Sequence, residues 1–206
     1  MQKTVLITGS TDGIGLETAK LILQQGHRVL LHGRNAHKLE KVQQDLSKLG
    51  EVESYVADLS DMQQVRGLAS AVAKNHRKLD ILINNAGVYK TPHAHNQNGL
   101  DMRFAVNTLA PYVLTSALLP YVSDDGRIIN LSSAAQAPVN LKMLTNEAIE
   151  LDAMDAYAQS KLALTMWSFD LAEKVGQKGP AIIAVNPGSL LASKMVQKVL
   201  ASRGKT

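Results

Sequence analysis

The sequence predicts one α/β domain, in which a parallel sheet of about six strands carries helices on both faces. Three observations support this. Short apolar segments alternate with amphipathic helical segments along nearly all of the 206 residues. A glycine-rich turn, Gly9 to Gly15, separates the first strand from the first helix. The length suits a single domain with a substantial core. We therefore expect residues 1–206 to form one doubly wound domain with strand order 3-2-1-4-5-6.

The composition is that of an ordinary globular protein, with 45% hydrophobic and 19% charged residues. The net charge is +4, but basic and acidic residues alternate and aromatic residues make up only 4%, so we expect no nucleic-acid partner. No apolar stretch reaches the roughly 18 residues of a membrane span, and we expect no signal peptide, since the sequence runs directly into a strand. We therefore expect no membrane partner and a cytoplasmic location. The absence of cysteine excludes disulfides, thiol catalysis and cysteine-based metal sites.

The first strand, residues 3–7, leads into a candidate phosphate-binding turn. Apolar residues then recur at helical spacing, so a helix begins where the turn ends. A helix N-terminus offers unpaired N–H groups and a partial positive charge to a pyrophosphate. Gly9 allows the tight turn, Gly13 lets a ligand approach the backbone, and Gly15 lets helix and strand pack closely. The candidate residues are Gly9, Ser10, Thr11, Asp12, Gly13, Ile14 and Gly15, unless the glycines only mark a turn.

The second strand, Arg28 to Leu31, is followed by the position at which a dinucleotide fold selects its cofactor. A carboxylate there would bind the adenosine ribose, whereas an arginine accommodates a 2′-phosphate. The sequence offers Arg34 and Asn35 and no acid. A guanidinium binds phosphate bidentately, so we expect NADP(H) to be preferred over NAD(H). The alternative is that Arg34 only faces solvent.

The next helix carries an apolar stripe from Leu39 to Leu49, and Gly50 is expected to end it. The third strand, Val52 to Ala57, is followed by Asp58 and Leu59, and Asp58 has the character of a helix N-cap. The fourth strand, Leu79 to Ile83, leads into Asn84-Asn85-Ala86-Gly87. Its amides can tie adjacent strand ends together and its small residues leave room for a ligand, although a plain Asn-Asn turn is the alternative.

A polar loop and a helix containing Asn107 follow. His93 and His95 lie in the loop, but no third ligand has suitable spacing, so we expect a surface loop and no metal site. The helix is expected to begin at about Gly99. Pro111 lies one turn after Asn107 and should loosen the helix there, because proline has no N–H.

The proton-transfer chemistry is predicted at the carboxyl end of the fifth strand, Arg127 to Leu131, the sheet edge at which such folds bind ligands. Ser132 and Ser133 follow this strand, and Tyr157 and Lys161 lie four residues apart on a later helix, about 5–6 Å between Cβ atoms. A nearby ammonium should lower the pKa of the tyrosine from about 10 towards the working range. Tyr157 can then exchange a proton with a carbonyl or an alcohol, while Ser133 hydrogen-bonds the same oxygen.

The sixth strand, Ala181 to Val185, is followed by Asn186-Pro187-Gly188. Together with Thr8-Gly9-x-x-x-Gly13-Ile14-Gly15, Asn84 to Gly87, Ser132-Ser133 and Tyr157-x-x-x-Lys161, this segment resembles the short-chain dehydrogenase/reductase family over about residues 3 to 195. The resemblance implies a Rossmann fold and hydride transfer between a nicotinamide and a carbonyl or alcohol substrate. It also implies the catalytic set Asn107, Ser133, Tyr157 and Lys161.

The resemblance further implies individual roles. Ser133 rather than Ser132 is the catalytic serine, Lys161 also holds the nicotinamide ribose, and Asn107 positions a water in a proton relay. The implied cofactor contacts, besides the glycine turn, Arg34 and Asn35, are Asp58, Leu59, Asn85, Ala86, Gly87, Tyr157, Lys161, Pro187, Gly188 and Ser193. Ser193 is the nearest hydroxyl where the family usually has a threonine.

Two features depart from the common family pattern. The segment from Ala134 to Ala156 is long, which resembles the retinol-dehydrogenase-like branch. The chain ends at Thr206, where family members usually continue into further helices and a seventh strand. We expect a truncated chain, an open pocket or a pocket that a partner completes. The resemblance implies a homodimer or homotetramer, formed through the helices that carry Asn107 and Tyr157.

The sequence therefore favours an NADP(H)-dependent carbonyl reductase or alcohol dehydrogenase with a small-molecule substrate. A nucleotide-sensing binding protein with little turnover is the alternative, supported only by the abrupt C-terminus. A nucleotide-sugar epimerase of the extended branch shares the tyrosine and lysine, but its usual glycine spacing and longer chain argue against it.

Overall fold

A computed structural model of the protein describes residues 1–145 and 149–188. Six strands form one sheet in the order β3-β2-β1-β4-β5-β6, and every neighbouring pair is parallel. The strands are β1 (Thr4–Ile7), β2 (Arg28–Gly33), β3 (Val52–Val56), β4 (Leu79–Asn84), β5 (Val122–Leu131) and β6 (Ala181–Val185). The predicted doubly wound α/β fold and its strand order are confirmed.

Helices connect the strands and cover both faces of the sheet. They are α1 (Gly13–Gln24), α2 (Ala36–Leu46), α3 (Met62–Asn75), α4 (Met102–Phe104), α5 (Ala110–Leu118) and α6 (Ala153–Val175). A π-helical turn, Ala105–Leu109, joins α4 to α5. Short 3-10 turns occupy Leu119–Tyr121, Leu141–Leu144 and Gly176–Lys178. Among the described residues, no helix has the length and apolar character needed to cross a membrane.

Two apolar layers hold the helices against the sheet. On one face, alternate strand residues such as Leu6 and Leu82 pack against apolar residues of α3 and α5. On the other face, residues such as Val5 and Leu31 pack against α1 and α2. This alternation follows from the two-residue period of a strand. The layers fix the carboxyl ends of β1, β2, β4 and β5 along one edge, with the topological switch point between β1 and β4.

Helix boundaries differ from the sequence-based expectations where capping residues decide them. Helix α2 ends at Leu46, so Leu49 is not part of its apolar stripe and is 41% exposed. The helical segment that holds Asn107 begins at Met102 rather than near Gly99, because Asp101 caps it. Strand β5 begins at Val122, five residues before the expected start.

Asp58 is not the N-cap of the helix that follows β3. The carboxylate of Asp61 accepts hydrogen bonds from the backbone N–H groups at the start of α3. Asp58 instead closes a local turn, where its Oδ1 accepts bonds from Ser60 N and Ser60 Oγ, each at 2.8 Å. The interpretation of Asp58 as a cap is therefore wrong, and its side chain remains at the sheet edge.

Candidate active site

A groove of about 590 Å³ runs along the carboxyl edge of the sheet. Its lining contains most of the residues predicted to contact a cofactor: Gly9, Thr11, Asp12, Gly13, Ile14, Arg34, Asn35, Asp58, Leu59, Asn85, Ala86, Gly87, Tyr157, Lys161 and Pro187. Ser10 and Gly15 are buried beneath the turn, and Gly188 follows the last lining residue. Ser193 lies outside the described residues. The structure thus brings distant motifs to one place.

The glycine-rich turn opens onto the groove at Gly13. This residue has φ +54°, and a Cβ built on it would have no heavy atom within 4 Å. The carboxylate of Asp12 accepts a hydrogen bond from Gly13 N at 2.9 Å and begins α1. The exposed turn and the N-terminus of α1 therefore lie at the groove, and a helix N-terminus is the kind of site that binds a pyrophosphate.

Gly15 packs against the turn itself and against the β4 end. A Cβ at Gly15 would clash with Asn85 Nδ2 and lie only 2.6 Å from Gly9 O. The side chain of Asn85 occupies this space because its Nδ2 donates to Thr8 O at 2.8 Å and to Gly9 O at 3.1 Å. Ala86 N in turn donates to Thr8 Oγ1 at 3.0 Å. The ends of β1 and β4 are tied together as the Asn-Asn motif suggests.

His32 ties the turn to β2 through its ring. Its Nδ1 accepts a hydrogen bond from Gly9 N at 3.1 Å, so the ring proton resides on Nε2, which donates to Ala57 O at 3.1 Å. Burial lowers the pKa of His32 from 6.5 to about 4. The imidazole is therefore neutral at physiological pH and holds the turn without adding charge to the groove.

Ser10 completes the same tie and does not face the groove. It is fully buried, and its Oγ accepts a hydrogen bond from His32 N at 2.9 Å. Its backbone N donates to His32 O at 3.0 Å. The side chain of Ser10 therefore supports the turn from below, and the expected cofactor contact by Ser10 is not available to its hydroxyl.

The end of the groove beside β2 carries two cations. Arg34 is exposed and forms no ion pair with any residue in the part of the chain that the structure describes. Lys38, in the first turn of α2, has its Nζ 2.9 Å from Asp12 Oδ2. Asn35 caps α2 by accepting from Lys38 N at 2.9 Å. An arginine after the second strand is the residue type that accommodates a 2′-phosphate in dinucleotide-binding folds.

Asn107 clamps the backbone next to the groove. Its Oδ1 accepts from Val88 N at 2.8 Å, while its Nδ2 donates to Val88 O and to Ser160 Oγ, each at 3.0 Å. Its side chain is 1% exposed and does not line the groove. Because Pro111 has no N–H, the carbonyl of Asn107 lacks the usual α-helical donor four residues ahead, and the helix has a π-turn here.

The two serines after β5 point in different directions. Burial raises the pKa of the Tyr157 phenol, and a hydrogen bond with the Ser133 side chain offsets part of that rise. Ser132 is buried against α6, where its Oγ lies 2.6 Å from Thr165 Oγ1. Ser133 is thus the serine that contacts Tyr157.

Lys161 does not lower the pKa of Tyr157 as the sequence led us to expect. Its Nζ lies 5.8 Å from the centre of the Tyr157 ring and donates to Leu131 O at 2.6 Å. Burial lowers the pKa of Lys161 from 10.5 to about 8. The Lys161 ammonium donates to a backbone carbonyl rather than to the phenol. Burial is therefore the largest effect on the pKa of Tyr157, which it raises.

Comparison with known proteins assigns the chain to a family. The sequence model of a family described as short chain dehydrogenase matches residues 3–204. The chain belongs to the short-chain dehydrogenase family. Mouse retinol dehydrogenase 13 is 35% identical over 195 residues, a match that covers 90% of this chain and 58% of that protein. The expected resemblance to the retinol-dehydrogenase-like branch is confirmed, and the chain spans somewhat more than half the length of such a relative.

Two solved complexes with NADP have a fold similar to that of this chain. The RhlG/NADP active-site complex from Pseudomonas aeruginosa has a TM-score of 0.78 and 28% identity, covering 97% of this chain and 77% of that one. A metagenomic short-chain oxidoreductase in complex with NADP has a TM-score of 0.72 and 31% identity, covering 99% of this chain and 91% of that one.

In this short-chain dehydrogenase, sequence reasoning missed several residues that shape the site. Lys38 was recognisable as a cation near the start of the helix that follows Arg34. His32 was recognisable as a polar residue near the end of a buried strand. Ser160 was recognisable as a helical neighbour three residues after Tyr157, whereas no sequence signal marks Tyr89 as a neighbour of Tyr157. In residues 1–145 and 149–188, no three histidine, aspartate or glutamate side chains converge as metal ligands, and His93 is exposed.

Proposed function

We propose that the chain is an NADP(H)-dependent oxidoreductase that transfers a hydride between nicotinamide and a carbonyl or alcohol substrate. We also propose that residues 1–206 act as a single cofactor-binding and catalytic domain. The observation that carries the proposal is one groove, which joins the glycine-rich turn to Tyr157 and Lys161. Family membership, a retinol dehydrogenase relative and NADP complexes among similar structures support it.

The groove fits a dinucleotide. Gly13 and Gly87 both line the groove, and a Cβ at Gly87 would be in ordinary van der Waals contact, 3.4 Å from Asn107 Oδ1 and 3.5 Å from Lys161 Nζ. Glycine at position 87 leaves that volume to a ligand. In this proposal the turn holds the pyrophosphate, Asp58 and Leu59 contact the adenine, and Pro187 and Gly188 meet the nicotinamide. Bound NADP(H) supplies or accepts the hydride.

Tyr157 acts as the general acid during carbonyl reduction. Because burial raises the pKa of its phenol, Tyr157 keeps its proton through neutral pH and can donate it to a carbonyl oxygen. Ser133 hydrogen-bonds the same oxygen and stabilises the charge that develops there. Lys161, with a pKa of about 8, is mostly protonated at neutral pH and offers donors to the nicotinamide ribose. Asn107 holds the wall of the groove, and its carbonyl positions a relay water.

The preference for NADP(H) over NAD(H) rests on Arg34. Its exposed guanidinium lies at the groove end beside β2, and no carboxylate follows β2 to accept the ribose hydroxyl. A bidentate guanidinium–phosphate contact is among the strong hydrogen-bond types in proteins.

A nucleotide-binding protein without turnover is the second candidate. The observations that favour it are the direction of the Lys161 ammonium, towards Leu131 O, and the raised pKa of the phenol. Both would leave the nucleotide site intact while making proton abstraction from an alcohol slow.

We further propose a homodimer or a homotetramer that uses α5 and α6. Three large apolar side chains are exposed on these helices: Tyr112 is 46%, Met166 is 58% and Phe169 is 70% exposed. Such a cluster is typical of a protein–protein contact. The cytoplasmic location stays a prediction, which fractionation of expressing cells would test.

The deciding experiment is a fluorescence titration with NADPH and NADH, followed by NADPH oxidation with a panel of aldehydes and ketones. The unaltered chain should bind NADPH more tightly than NADH. Arg34→Gln should weaken NADPH binding by about 10- to 100-fold and leave NADH binding unchanged, because a hydrogen bond to a charged group contributes about 1.5–3 kcal/mol. Tyr157→Phe should bind NADPH normally and lose at least about 100-fold in turnover.

Arg66→Gln provides the matched control, since Arg66 is also exposed but lies on α3 outside the groove. Unchanged NADPH affinity in Arg34→Gln, or an equal loss of affinity for NADPH and NADH, would contradict the role of Arg34 in the NADP preference. Full turnover by Tyr157→Phe would contradict the catalytic assignment. Tight NADPH binding with no turnover on any substrate would favour the binding protein.

A further inference from the structure

A second tyrosine packs against Tyr157 at the groove. Tyr89 lies in the segment that leaves β4 and is only 8% exposed. Its ring meets the ring of Tyr157 edge to face, with centroids 5.5 Å apart and an interplanar angle of 85°. Edge-to-face aromatic pairs contribute about 0.5–1.5 kcal/mol beyond the area that they bury. This contact restricts how the Tyr157 ring can move.

The backbone on both sides of this contact is fixed by one chain of hydrogen bonds. Asn107 holds both backbone groups of Val88, the residue before Tyr89. Its Nδ2 also donates to Ser160 Oγ, and Ser160 Oγ donates to the backbone O of Tyr157 at 2.7 Å. The two tyrosines therefore belong to a closed loop of contacts, in which Asn107 and Ser160 form one side and the ring pair forms the other.

Two lysines and one serine lie beside the ring pair. On α6, Lys161 Nζ lies 5.8 Å from the Tyr157 ring centre, and on the segment after β4, Lys90 Nζ lies 5.9 Å from the Tyr89 ring centre. After β5, the uncharged hydroxyl of Ser133 hydrogen-bonds Tyr157. Burial is the largest cause of the raised pKa of the Tyr157 phenol, and the ring of Tyr89 supplies part of that burial.

We propose that Tyr89 is a positioning residue for Tyr157, whose ring fixes the phenol in the groove and excludes water from one side of it. Its effect on turnover rests on the proposed function, but its effect on the phenol does not. Loss of the Tyr89 ring lets water solvate the phenolate, so the pKa of Tyr157 falls towards its ordinary value.

The test compares Tyr89→Phe, Tyr89→Leu and Tyr89→Ala with the unaltered chain. The phenolate absorbance is titrated for each variant and for the same variant carrying Tyr157→Phe, because the difference isolates Tyr157 from the other tyrosines. Tyr89→Phe keeps the ring and should leave the titration unchanged. Tyr89→Ala should move it to lower pH, and Tyr89→Leu should move it less because leucine keeps apolar volume. Tyr121→Leu is the control, because Tyr121 is a half-exposed tyrosine in the 3-10 turn that follows α5.

The kinetic arm uses NADPH and a small aldehyde. Tyr89→Ala should lower kcat by about tenfold or more, since misplacement by about 1 Å can cost about 100-fold. The dissociation constant for NADPH should not change. The alkaline limit of reduction should move to lower pH together with the phenol titration, because reduction needs the protonated phenol.

An unchanged Tyr157 titration in both Tyr89→Leu and Tyr89→Ala would overturn the proposal, even if kcat fell, since that pattern describes a purely structural residue. If the unaltered chain shows no NADPH oxidation, the proposed function fails. The absorbance titration still decides the role of Tyr89 in that case. If Tyr89→Ala does not fold, Tyr89→Leu carries the comparison.

Discussion

His32 connects three parts of the fold through a single neutral ring. It joins Gly9 in the glycine-rich turn to Ala57 at the end of β3, and it belongs to β2 itself. Burial lowers its pKa to about 4, whereas an unfolded histidine titrates near 6.5. Above pH 6.5 both states are neutral. As the pH falls from 6.5 towards 4, the unfolded chain takes up a proton that the folded chain refuses, so folding stability is lost in that window.

We predict that His32→Gln removes this part of the acid sensitivity. The unaltered chain should lose on the order of 3 kcal/mol between pH 7.5 and pH 4 from His32, since one pKa unit corresponds to about 1.36 kcal/mol. The variant should be less stable at pH 7.5, because glutamine cannot reproduce both ring hydrogen bonds, but its stability should vary less with pH. Urea unfolding at a series of pH values measures the difference. Parallel curves for the two proteins would show that His32 is not the group responsible.

The residues that the sequence could not reveal act through contacts between distant segments. Tyr157 and Lys161 are readable because they lie on one helix, four residues apart. Tyr89 meets Tyr157 only because β4 and β5 are neighbours and α6 packs beside them. The direction of the pKa shift of Tyr157 was also unreadable, since it depends on burial and on where the Lys161 ammonium points.

At the scale of the element, the packing of α1 depends on the absence of a side chain at Gly15. Gly15 lets the first turn of α1 approach Gly9 and Asn85 more closely than any residue with a Cβ. Gly67, in the interior of α3, has no such neighbour, since a Cβ there would meet nothing within 4 Å. Gly15 therefore permits a close contact that α1 needs, whereas Gly67 only lowers the stability of α3 relative to alanine.

Opposite outcomes are expected for Gly15→Ala and Gly67→Ala. The first should weaken NADPH binding by at least about tenfold and lower the free energy of unfolding by about 1–3 kcal/mol, because the added methyl displaces the turn. The second should raise the free energy of unfolding by about 0.5–1 kcal/mol, because alanine suits a helix interior better than glycine. Thermal unfolding and NADPH titration measure both. Tight NADPH binding by Gly15→Ala would rule out this account of the turn.

The strands were predictable and the helix ends were less so, for a physical reason. Apolar runs such as Val5 to Ile7 signal a buried strand from sequence alone. A helix end depends on which of several nearby polar residues captures the free N–H groups. Asp58 and Asp61 are both suitable caps by residue type, and only the structure shows that Asp61 caps α3.

At the scale of the whole molecule, the distribution of exposed apolar surface is uneven. Met166 and Phe169 lie three residues apart on α6, beside the exposed Tyr112 of α5. Residues at this spacing share a helix face. The face is separate from the groove, which Tyr157 and Lys161 of the same helix reach. Helix α6 therefore contributes Tyr157 and Lys161 to the groove and Met166 and Phe169 to the exposed apolar face.

We predict that Phe169→Asp converts an assembled form of the chain into a monomer. Burial of a phenylalanine side chain contributes about 1.5–3 kcal/mol, and a buried unpaired carboxylate adds a further penalty. Sedimentation velocity at several concentrations measures the change. Leu21→Asp is the matched control, because Leu21 is 55% exposed on α1, away from this face. A monomeric unaltered chain, or equal behaviour of the two variants, would contradict the assignment of the face.

The strand order followed from family motifs and the alternation of elements, whereas assembly depends on surface shape that no motif encodes. Each motif labels the end of one strand, and the doubly wound fold that the motifs indicate has the strand order 3-2-1-4-5-6. Phe169 carries no comparable label, since a lone aromatic residue on a helix is compatible with a core position or a contact. Its 70% exposure in the structure distinguishes the two.

Trp167 is the only tryptophan of the chain, and its position separates two optical signals. It lies between Met166 and Ser168 on α6, and its ring meets Tyr112 edge to face at 5.6 Å, outside the groove. Indole emission therefore reports the polarity of the face that carries Phe169, and dilution of an assembled form should shift it. Occupancy of the groove is read instead from the emission of reduced nicotinamide. A single cuvette can thus follow the separation of subunits and the arrival of nucleotide at two wavelengths.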